Sequence, residues 1–575
     1  MAVFIGKKHV EVLRAIGEGL AEREVAGLPL DTRRLIPELQ MGGLITVSQG
    51  RITLTDAGKI ILDAFSNVSV DEIPEVVVDS AALTALEYYY ETGYIPREWV
   101  RYLEIRGLAE DGELLDRARK IFEAYKSARP TLVLTNDTVS FLFNVPFVGY
   151  YDDLITFTDA AGYGKTTISS LQAMRLLRIS PPTNGRSVYV LTPAAEQVKV
   201  AITSAKTVGV HISVGVEEAD ALEKGIELAS LVASGLQETG GRITEFGKAI
   251  LEAYKRMTVR ERRLVPVFVT EEEVDVLKTI KEIENIRKHT DILPEYSEIR
   301  RRVKSRRARD NLGEYLGLAE MKGLIERFEE KNKQVYRLTD WGRQAIVYGP
   351  VTTDAMKAVV YTAAGELPLP DWLDAAKGDG VIATGITEKG KFYMEISRMR
   401  PHLVYLTGYD VAVLARMPRK HYIKHEDLVK EVAEYLKTDD TSAVKMAISN
   451  AESKNLIFVL PNTMARLTDH GEKMKEVVES AKTRELAATK FAITPLTYSI
   501  AREMATHAQE INKLWKKAHD KRKDFYGELA KWLANRVRAP VDEVIKALEI
   551  MHKVGLLGDK SLTDAGKKLA EVFTV

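Results

Sequence analysis

The chain copies itself, and that repetition restricts its folds more than any other feature. Val3-Phe4-Ile5 followed by His9-Val10-Glu11-Val12-Leu13-Arg14-Ala15-Ile16 returns 264 positions later as Val267-Phe268-Val269 followed by Glu273-Val274-Asp275-Val276-Leu277-Lys278-Thr279-Ile280. A second run, Arg129-Pro130, Leu132-Val133, Leu134-Thr135 and Val145-Pro146, returns as Arg400-Pro401, Leu403-Val404, Leu406-Thr407 and Met417-Pro418. Pro96 and Trp99, between them, are echoed by Pro370 and Trp372. The order is kept, so the chain reads as a duplicated half, about 1–264 and 265–575. An array of small copied units is usually a binding architecture and not a catalytic one.

A shorter unit recurs inside each half. Gly43-Leu44-Ile45 leads through a polar turn to Ile52-Thr53-Leu54-Thr55-Asp56-Ala57-Gly58. The same pattern joins Gly235-Leu236 to Thr244-Glu245-Phe246-Gly247, Gly323-Leu324-Ile325 to Thr339-Asp340-Trp341-Gly342, and Gly380-Val381-Ile382 to Thr387-Glu388-Lys389-Gly390. It also joins Asn455-Leu456-Ile457 to Thr468-Asp469-His470-Gly471, and Gly555-Leu556-Leu557 to Thr563-Asp564-Ala565-Gly566. Two weaker copies are Gly107-Leu108-Ala109 with Leu114-Leu115-Asp116, and Leu176-Leu177-Arg178-Ile179 with Val190-Leu191-Thr192-Pro193. Each reads as a helix ended by a left-handed Gly cap, then a two-stranded hairpin, then a helix capped by Thr with an acid at its positive end. A Gly three residues after Thr lets that helix turn approach its neighbour closely. In the last copy, Leu529, Trp532, Leu533 and Val537 mark one helical face, and Val541, Val544, Leu548 and Met551 mark the next.

Two helices and a hairpin with a loop at its tip resemble the winged helix-turn-helix module, over nearly the whole chain. The assembly also resembles an archaeal family classed as a domain of unknown function, with tandem winged helices. The expected fold is mainly α with small β-hairpins (α+β): tandem winged-helix modules in two duplicated halves. The resemblance implies eight modules, at 1–66, 67–128, 129–205, 206–264, 265–348, 349–396, 397–482 and 483–575. No linker is Gly/Ser-rich, so the array is expected to be semi-rigid.

Composition excludes several chemistries. The chain has no cysteine, which removes disulfides, thiolate zinc sites and cysteine nucleophiles. Ten histidines form no His-x-x-x-His or Glu-x-x-His cluster, so no metal site is expected. The 82 basic and 82 acidic residues balance, so binding to a polyanion would rest on local patches. A charge-rich, cysteine-free composition is compatible with a thermophile. The N-terminus lacks the apolar core of a signal peptide, and no run approaches the roughly 18 apolar residues of a membrane span, so a cytoplasmic protein without membrane contact is expected.

Asp159-Ala160-Ala161-Gly162-Tyr163-Gly164-Lys165-Thr166-Thr167 is similar at its end to a phosphate-binding loop. Asp159 stands where the first Gly belongs, and its carboxylate would repel a phosphate. Within the repeat, Thr166 or Thr167 is expected to cap a helix. The candidate nucleic-acid contacts are cations. Wing-tip positions carry Arg51, Arg186, Arg242, Lys331, Lys333, Arg466 and Lys560, and Arg33 and Arg34 precede the third helix of copy one. One basic run is Arg300, Arg301, Arg302, Lys304, Arg306, Arg307 and Arg309, with Ile299 and Val303 as the inner stripe. Another is Lys513, Lys516, Lys517, Lys521, Arg522 and Lys523 around Trp515. A solvated helix face with nearby acids is the ordinary alternative for such runs.

The third helix of a winged module enters the major groove N-terminus first. Here those positions carry Asp310, Glu314, Asp439, Asp440, Asp542 and Glu543. Most copies are therefore expected to pack on each other or on proteins. Tyr88, Tyr89 and Tyr90 could stack bases but fit a core junction better. No catalytic set or cofactor fingerprint is present. The expectation is a non-enzymatic protein that contacts DNA or structured RNA through phosphates, with little base reading. The alternative is a protein–protein scaffold, and a remote one is a nucleotide-binding enzyme through Gly164-Lys165-Thr166.

Overall fold

A computed structural model describes residues 3–17, 35–48, 51–93, 95–205, 211–259, 263–287, 290, 292–330, 333–399, 405–460, 464–520 and 524–572. Helices dominate, and the strands form two- and three-stranded antiparallel sheets. The expected mainly helical fold with small hairpins is what these residues adopt.

One local geometry recurs eight times. A residue with positive φ ends a helix in every copy: Gly43, Gly107, Arg175, Gly235, Gly323, Gly380, Asn455 and Gly555. In each, the residue after it offers its carbonyl to the backbone N–H that starts the next helix, at 3.0–3.1 Å, from Thr55→Leu44 in the first copy to Thr563→Leu556 in the last. Where that second residue is Thr, its hydroxyl also donates to the carbonyl of the left-handed residue, as Thr55 does to Gly43 at 2.8 Å and Thr339 to Gly323 at 2.7 Å. The same hydroxyl accepts the N–H of the Gly three residues on, at 3.1 Å for Gly58 and 2.9 Å for Gly471. That Gly has no room for a side chain. A β-carbon on Gly58, Gly247, Gly342, Gly471 or Gly566 would lie 1.8–2.3 Å from the carbonyl oxygen of Leu44, Leu236, Leu324, Leu456 or Leu556. The two weak copies use buried Ala118 and Ala195 at this place. A single Thr side chain thus ties the helix start, the preceding helix end and the hairpin together.

Copies are joined in pairs. The strand that opens one copy lies antiparallel to the strand that opens the next: Val3–Ile5 with Val78–Asp79, Leu132–Leu134 with Ile212–Val214, and Leu406–Thr407 with Phe491–Ile493. Val269 and Val351 form the corresponding bridge between copies five and six. A pair also shares its core. Leu134, Phe141, Leu171 and Tyr189 of copy three bury in one cluster with Leu222, Leu236 and Ile250 of copy four. Copies seven and eight do the same, with Leu414, Val444 and Val477 against Leu533, Leu548 and Leu569. A unit of some sixty residues buries too small a fraction of its surface to be comfortable alone.

Copies three and seven each hold a three-stranded sheet. Its middle strand is the second of the hairpin, flanked by the first hairpin strand and a short strand ahead of the second helix: Val148–Tyr150, Val188–Leu191, Leu177–Ile179 in one, and Ile423–Lys424, Met464–Leu467, Ile457–Val459 in the other.

The chain forms two compact bodies, Met1–Arg263 with Lys357–Gly390, and Leu264–Met356 with Lys391–Val575. They do not coincide with the sequence halves. Residues 357–390, from the second half, join the first body through specific polar bonds. Arg263 pairs with Glu366 at 2.9 Å, the Phe147 N–H donates to Thr384 O at 2.7 Å, and Lys377 lies 4.3 Å from the ring centre of Tyr150.

Gly471→Ala tests the repeated lock. The methyl meets a backbone carbonyl, and we expect destabilisation of about 3 kcal/mol, a larger loss than for Gly93→Ala, whose β-carbon meets nothing within 4 Å and whose cost is only the strain of a positive φ. Chemical denaturation of both variants measures it; equal losses would refute the steric account.

Candidate functional site

The hairpin of copy three is flanked by other side chains on both sides, with Asn184 and Gly185 exposed at its tip. Trp99 Nε1 donates to Thr183 Oγ1 at 2.8 Å, and the Asn184 N–H donates to Glu98 at 2.7 Å. On its other side, Arg186 pairs with Asp374 at 2.6 Å and lies 4.8 Å from the ring centre of Tyr150, whose hydroxyl also donates to Asp374. Burial works to raise the Asp374 carboxyl, but the bonds from Arg186 and Tyr150 hold it below its ordinary value. Arg186, a candidate phosphate contact, is committed to this carboxylate.

The other candidates differ among themselves. Arg242 is 82% exposed with Glu238 4.0 Å away, and Lys333 pairs with Glu295 at 2.9 Å. Arg466 lies 5.6 Å from the Tyr422 ring centre. Lys560 sits 3.7 Å from the ring centre of Trp515, tying its turn to the helix Ala508–Asp520, on which Lys513, Lys516 and Lys517 are exposed. Arg51 opens the strand Arg51–Leu54. Arg33, Arg34, Lys331, Lys521, Arg522 and Lys523 lie outside the described residues.

The run at 300–309 forms two short helices, Tyr296–Arg302 and Arg306–Asp310, with Ile299 and Val303 fully buried as the apolar spacing required. Its cations spread across the surface. Arg302 lies 3.7 Å from Glu298, Lys304 3.9 Å from Glu282, Arg306 3.7 Å from Asp310 and Arg307 3.5 Å from Glu272. Arg309 donates to Val303 O at 2.7 Å. Arg300 and Arg301 are exposed and have no acidic partner among the described residues.

The third helices differ in how far packing uses them: that of copy eight, Val541–Lys553, leaves Val541, Asp542 and Ile545 exposed. That of copy five, Leu312–Met321, buries Leu312, Tyr315, Leu316, Leu318, Ala319 and Met321. Gly313 and Gly317 let it meet the rings of Phe491 and Tyr405, where a β-carbon would come within 2.8 and 2.7 Å of ring atoms. Glu314 does not face outward. Its carboxylate accepts from Asn450 Nδ2 at 2.7 Å and lies 3.6 Å from Lys454 Nζ, which is 2.5 Å from Asp410 Oδ2. Burial raises the Glu314 carboxyl above its ordinary value, with Lys454 opposing. A second buried pair, Lys322 and Glu273 at 2.6 Å, lies within the same body.

Gly164-Lys165-Thr166 has a helix, Tyr151–Ala160, ahead of it, where a phosphate loop requires a strand. Gly164 occupies the cap position of Lys165–Ala173, so neither Thr166 nor Thr167 is the cap. The helix starts at Lys165, so both Thr166 and Thr167 lie inside its first turn. The tyrosine run is only partly buried: Tyr88 meets Trp99 edge-on at 5.4 Å, and Tyr90, 38% exposed, stacks on Phe122 at 4.8 Å.

Sequence reasoning missed a cavity of ≈ 400 Å³ in the first body, between the third helices of copies one and three, Leu35–Met41 and Lys165–Ala173. Arg178, with Glu87 as its ion-pair partner, lies in its wall. The one available signal was an arginine in an otherwise apolar strand, between Leu177 and Ile179. Among the described residues there is no cluster of three potential metal ligands, and no helix long and apolar enough to cross a membrane.

These features define a mostly helical protein of repeated helix–hairpin units with a largely apolar cavity in its first body. The model of the family described as "Protein of unknown function (DUF505)" matches residues 3–323 and again 309–573, and the chain belongs to that family. It is 35% identical over 573 residues to the "Uncharacterized protein MJ1355" of Methanocaldococcus jannaschii, covering 99% of both chains. No solved structure matches.

Lys454→Met leaves Asp410 and Glu314 without their cation. We expect a loss of about 3–5 kcal/mol at pH 7. The loss should shrink as pH falls toward 4, because protonation then neutralises the stranded carboxylates. Urea unfolding at both pH values measures this, and a pH-independent loss would show that packing, not charge, was removed.

Proposed function

We propose that this chain is a non-enzymatic nucleic-acid-binding protein built from tandem winged-helix modules, contacting phosphates of DNA or structured RNA with little base reading. The strand orders in copies three and seven support the winged-helix reading, since a short strand, two helices and a hairpin are arranged there as that module requires. The observation that carries the ligand reading is the exposed ridge at 300–306. Arg300 and Arg301 lack acidic partners among the described residues, and Lys304 and Arg306, 79% and 94% exposed, have only loose ones at 3.9 and 3.7 Å. Such cations exchange readily between a carboxylate and a phosphate. The burial of Leu312–Met321 supports little base reading, because that helix would have to enter a groove.

A second reading, a protein scaffold with architectural modules, is favoured by the same buried helix and by the pairing of Arg186 with Asp374.

Titrating the full chain against duplex DNA, a single strand and a folded RNA at about 50 and 200 mM salt separates the two. The expected result is binding that falls steeply with salt. R300A/R301A should weaken it for every sequence alike and lower the log–log salt slope by about 2. Absence of binding at low salt removes the nucleic-acid reading and leaves the scaffold; an unchanged slope refutes the ridge.

A further inference from the structure

The two bodies treat equivalent places differently. Aligned at their left-handed residues, Arg175 and Asn455, the third helices of copies three and seven place Thr166 opposite Met446, Ser170 opposite Asn450 and Met174 opposite Lys454. In the second body, the space between the third helices of copies five and seven is filled. Glu314 brings a carboxylate there, received by Asn450 and Lys454. In the first body, the smaller Thr166 and Ser170 line an open cavity of ≈ 400 Å³. That is a size ordinary for a small-molecule site, which spans roughly 300–1,000 Å³.

The lining carries unspent polarity. Arg178 is neutralised by Glu87. Arg175 has no carboxylate partner among the described residues, and it spends one nitrogen on the backbone carbonyls of Tyr125 and Ala128. His9 is 5% exposed, and its Nε2 makes no hydrogen bond among the described residues, since Glu38, itself 44% exposed, is 3.6 Å away. A half-buried guanidinium without a counter-charge, stacked on the Tyr125 ring at 4.1 Å, and an unbonded imidazole nitrogen leave polarity that a ligand can satisfy. Leu35, Met41, Leu44 and Leu83 supply an apolar remainder.

We propose that this cavity binds a small organic anion, a carboxylate or a monophosphate on an apolar body, with the anion at Arg175. The ligand fills in the first body the space between third helices that Glu314, Asn450 and Lys454 fill in the second. This site is separate from the cationic ridge and does not depend on nucleic-acid binding.

The test uses the full chain with three probes of one shape, benzoate, phenyl phosphate and benzyl alcohol, followed by calorimetry or saturation-transfer NMR. At least one anion should bind with Kd near or below about 1 mM, and the neutral alcohol at least tenfold more weakly. The better of the two anions identifies the acid group. Arg175→Gln should weaken the anion at least tenfold. Thr166→Met with Ser170→Asn, the side chains of the second body, narrows the cavity without touching Arg175 and should also weaken it, which keeps the test decisive if Arg175→Gln does not fold. Equal binding of the alcohol, no binding of either anion, or undiminished anion binding in the double variant would overturn the proposal.

Discussion

One contact organises this molecule: the approach of a helix's first turn to the carbonyl oxygen just beyond the end of the preceding helix. In six copies a Gly makes that approach possible and a Thr hydroxyl holds it, accepting from the Gly and donating to the left-handed residue. The hairpin between the two helices is then bracketed at both ends. It needs no long strands of its own, and in two of these copies a single bridge suffices, Ile382 with Ile386 and Leu557 with Leu562. The helix after the hairpin is aimed by this contact, and its outer face is where the next level of structure begins.

That level is the pair. The helices after the hairpins of paired copies meet, as Trp341 and Tyr348 do with Phe392 at 5.4 and 5.0 Å. The opening strands of the two copies close the same interface with backbone bonds. Copies three and four share one core, as do copies seven and eight, and a boundary drawn inside either pair cuts hydrophobic contacts; copy six is divided, with residues 357–390 in the first body. Further association uses what remains: apolar third helices, hairpins, and buried ion pairs such as Lys454 with Glu314. Buried pairs of this kind contribute little net stability but punish any arrangement that separates them, so they select one packing among several.

This use of surfaces narrows what the protein can do. The helix Leu312–Met321 is covered along one face by Tyr405 and Phe491, and Arg186 is paired with the half-exposed Asp374. Among the described residues, packing leaves open the cations around Arg300, Arg242, and Lys513, Lys516 and Lys517, and the cavity beside Arg175.

Much of the local architecture was readable from residue order. The left-handed cap, the Thr cap and the close-approach Gly are contacts within a dozen or so residues, and the spacing of Ile299 and Val303 announced their burial. The two faint copies were readable because Leu115 and Thr192 keep the backbone bond even where the Gly becomes Ala. The motif at 159–167 misled in one detail, since a helix start shifts by two residues at no visible cost in pattern. Invisible in the sequence were the partners of its charges. Arg186 meets Asp374 across 188 positions and Glu314 meets Asn450 across 136, and nothing local marks either acid as chosen. The chain's own order determined the repeated helix–hairpin unit, because short-range sterics and hydrogen bonds are complete within it. Tertiary structure alone decided which copies pair, which cations are spent and where a cavity remains, because those depend on surfaces brought together from distant parts of the chain.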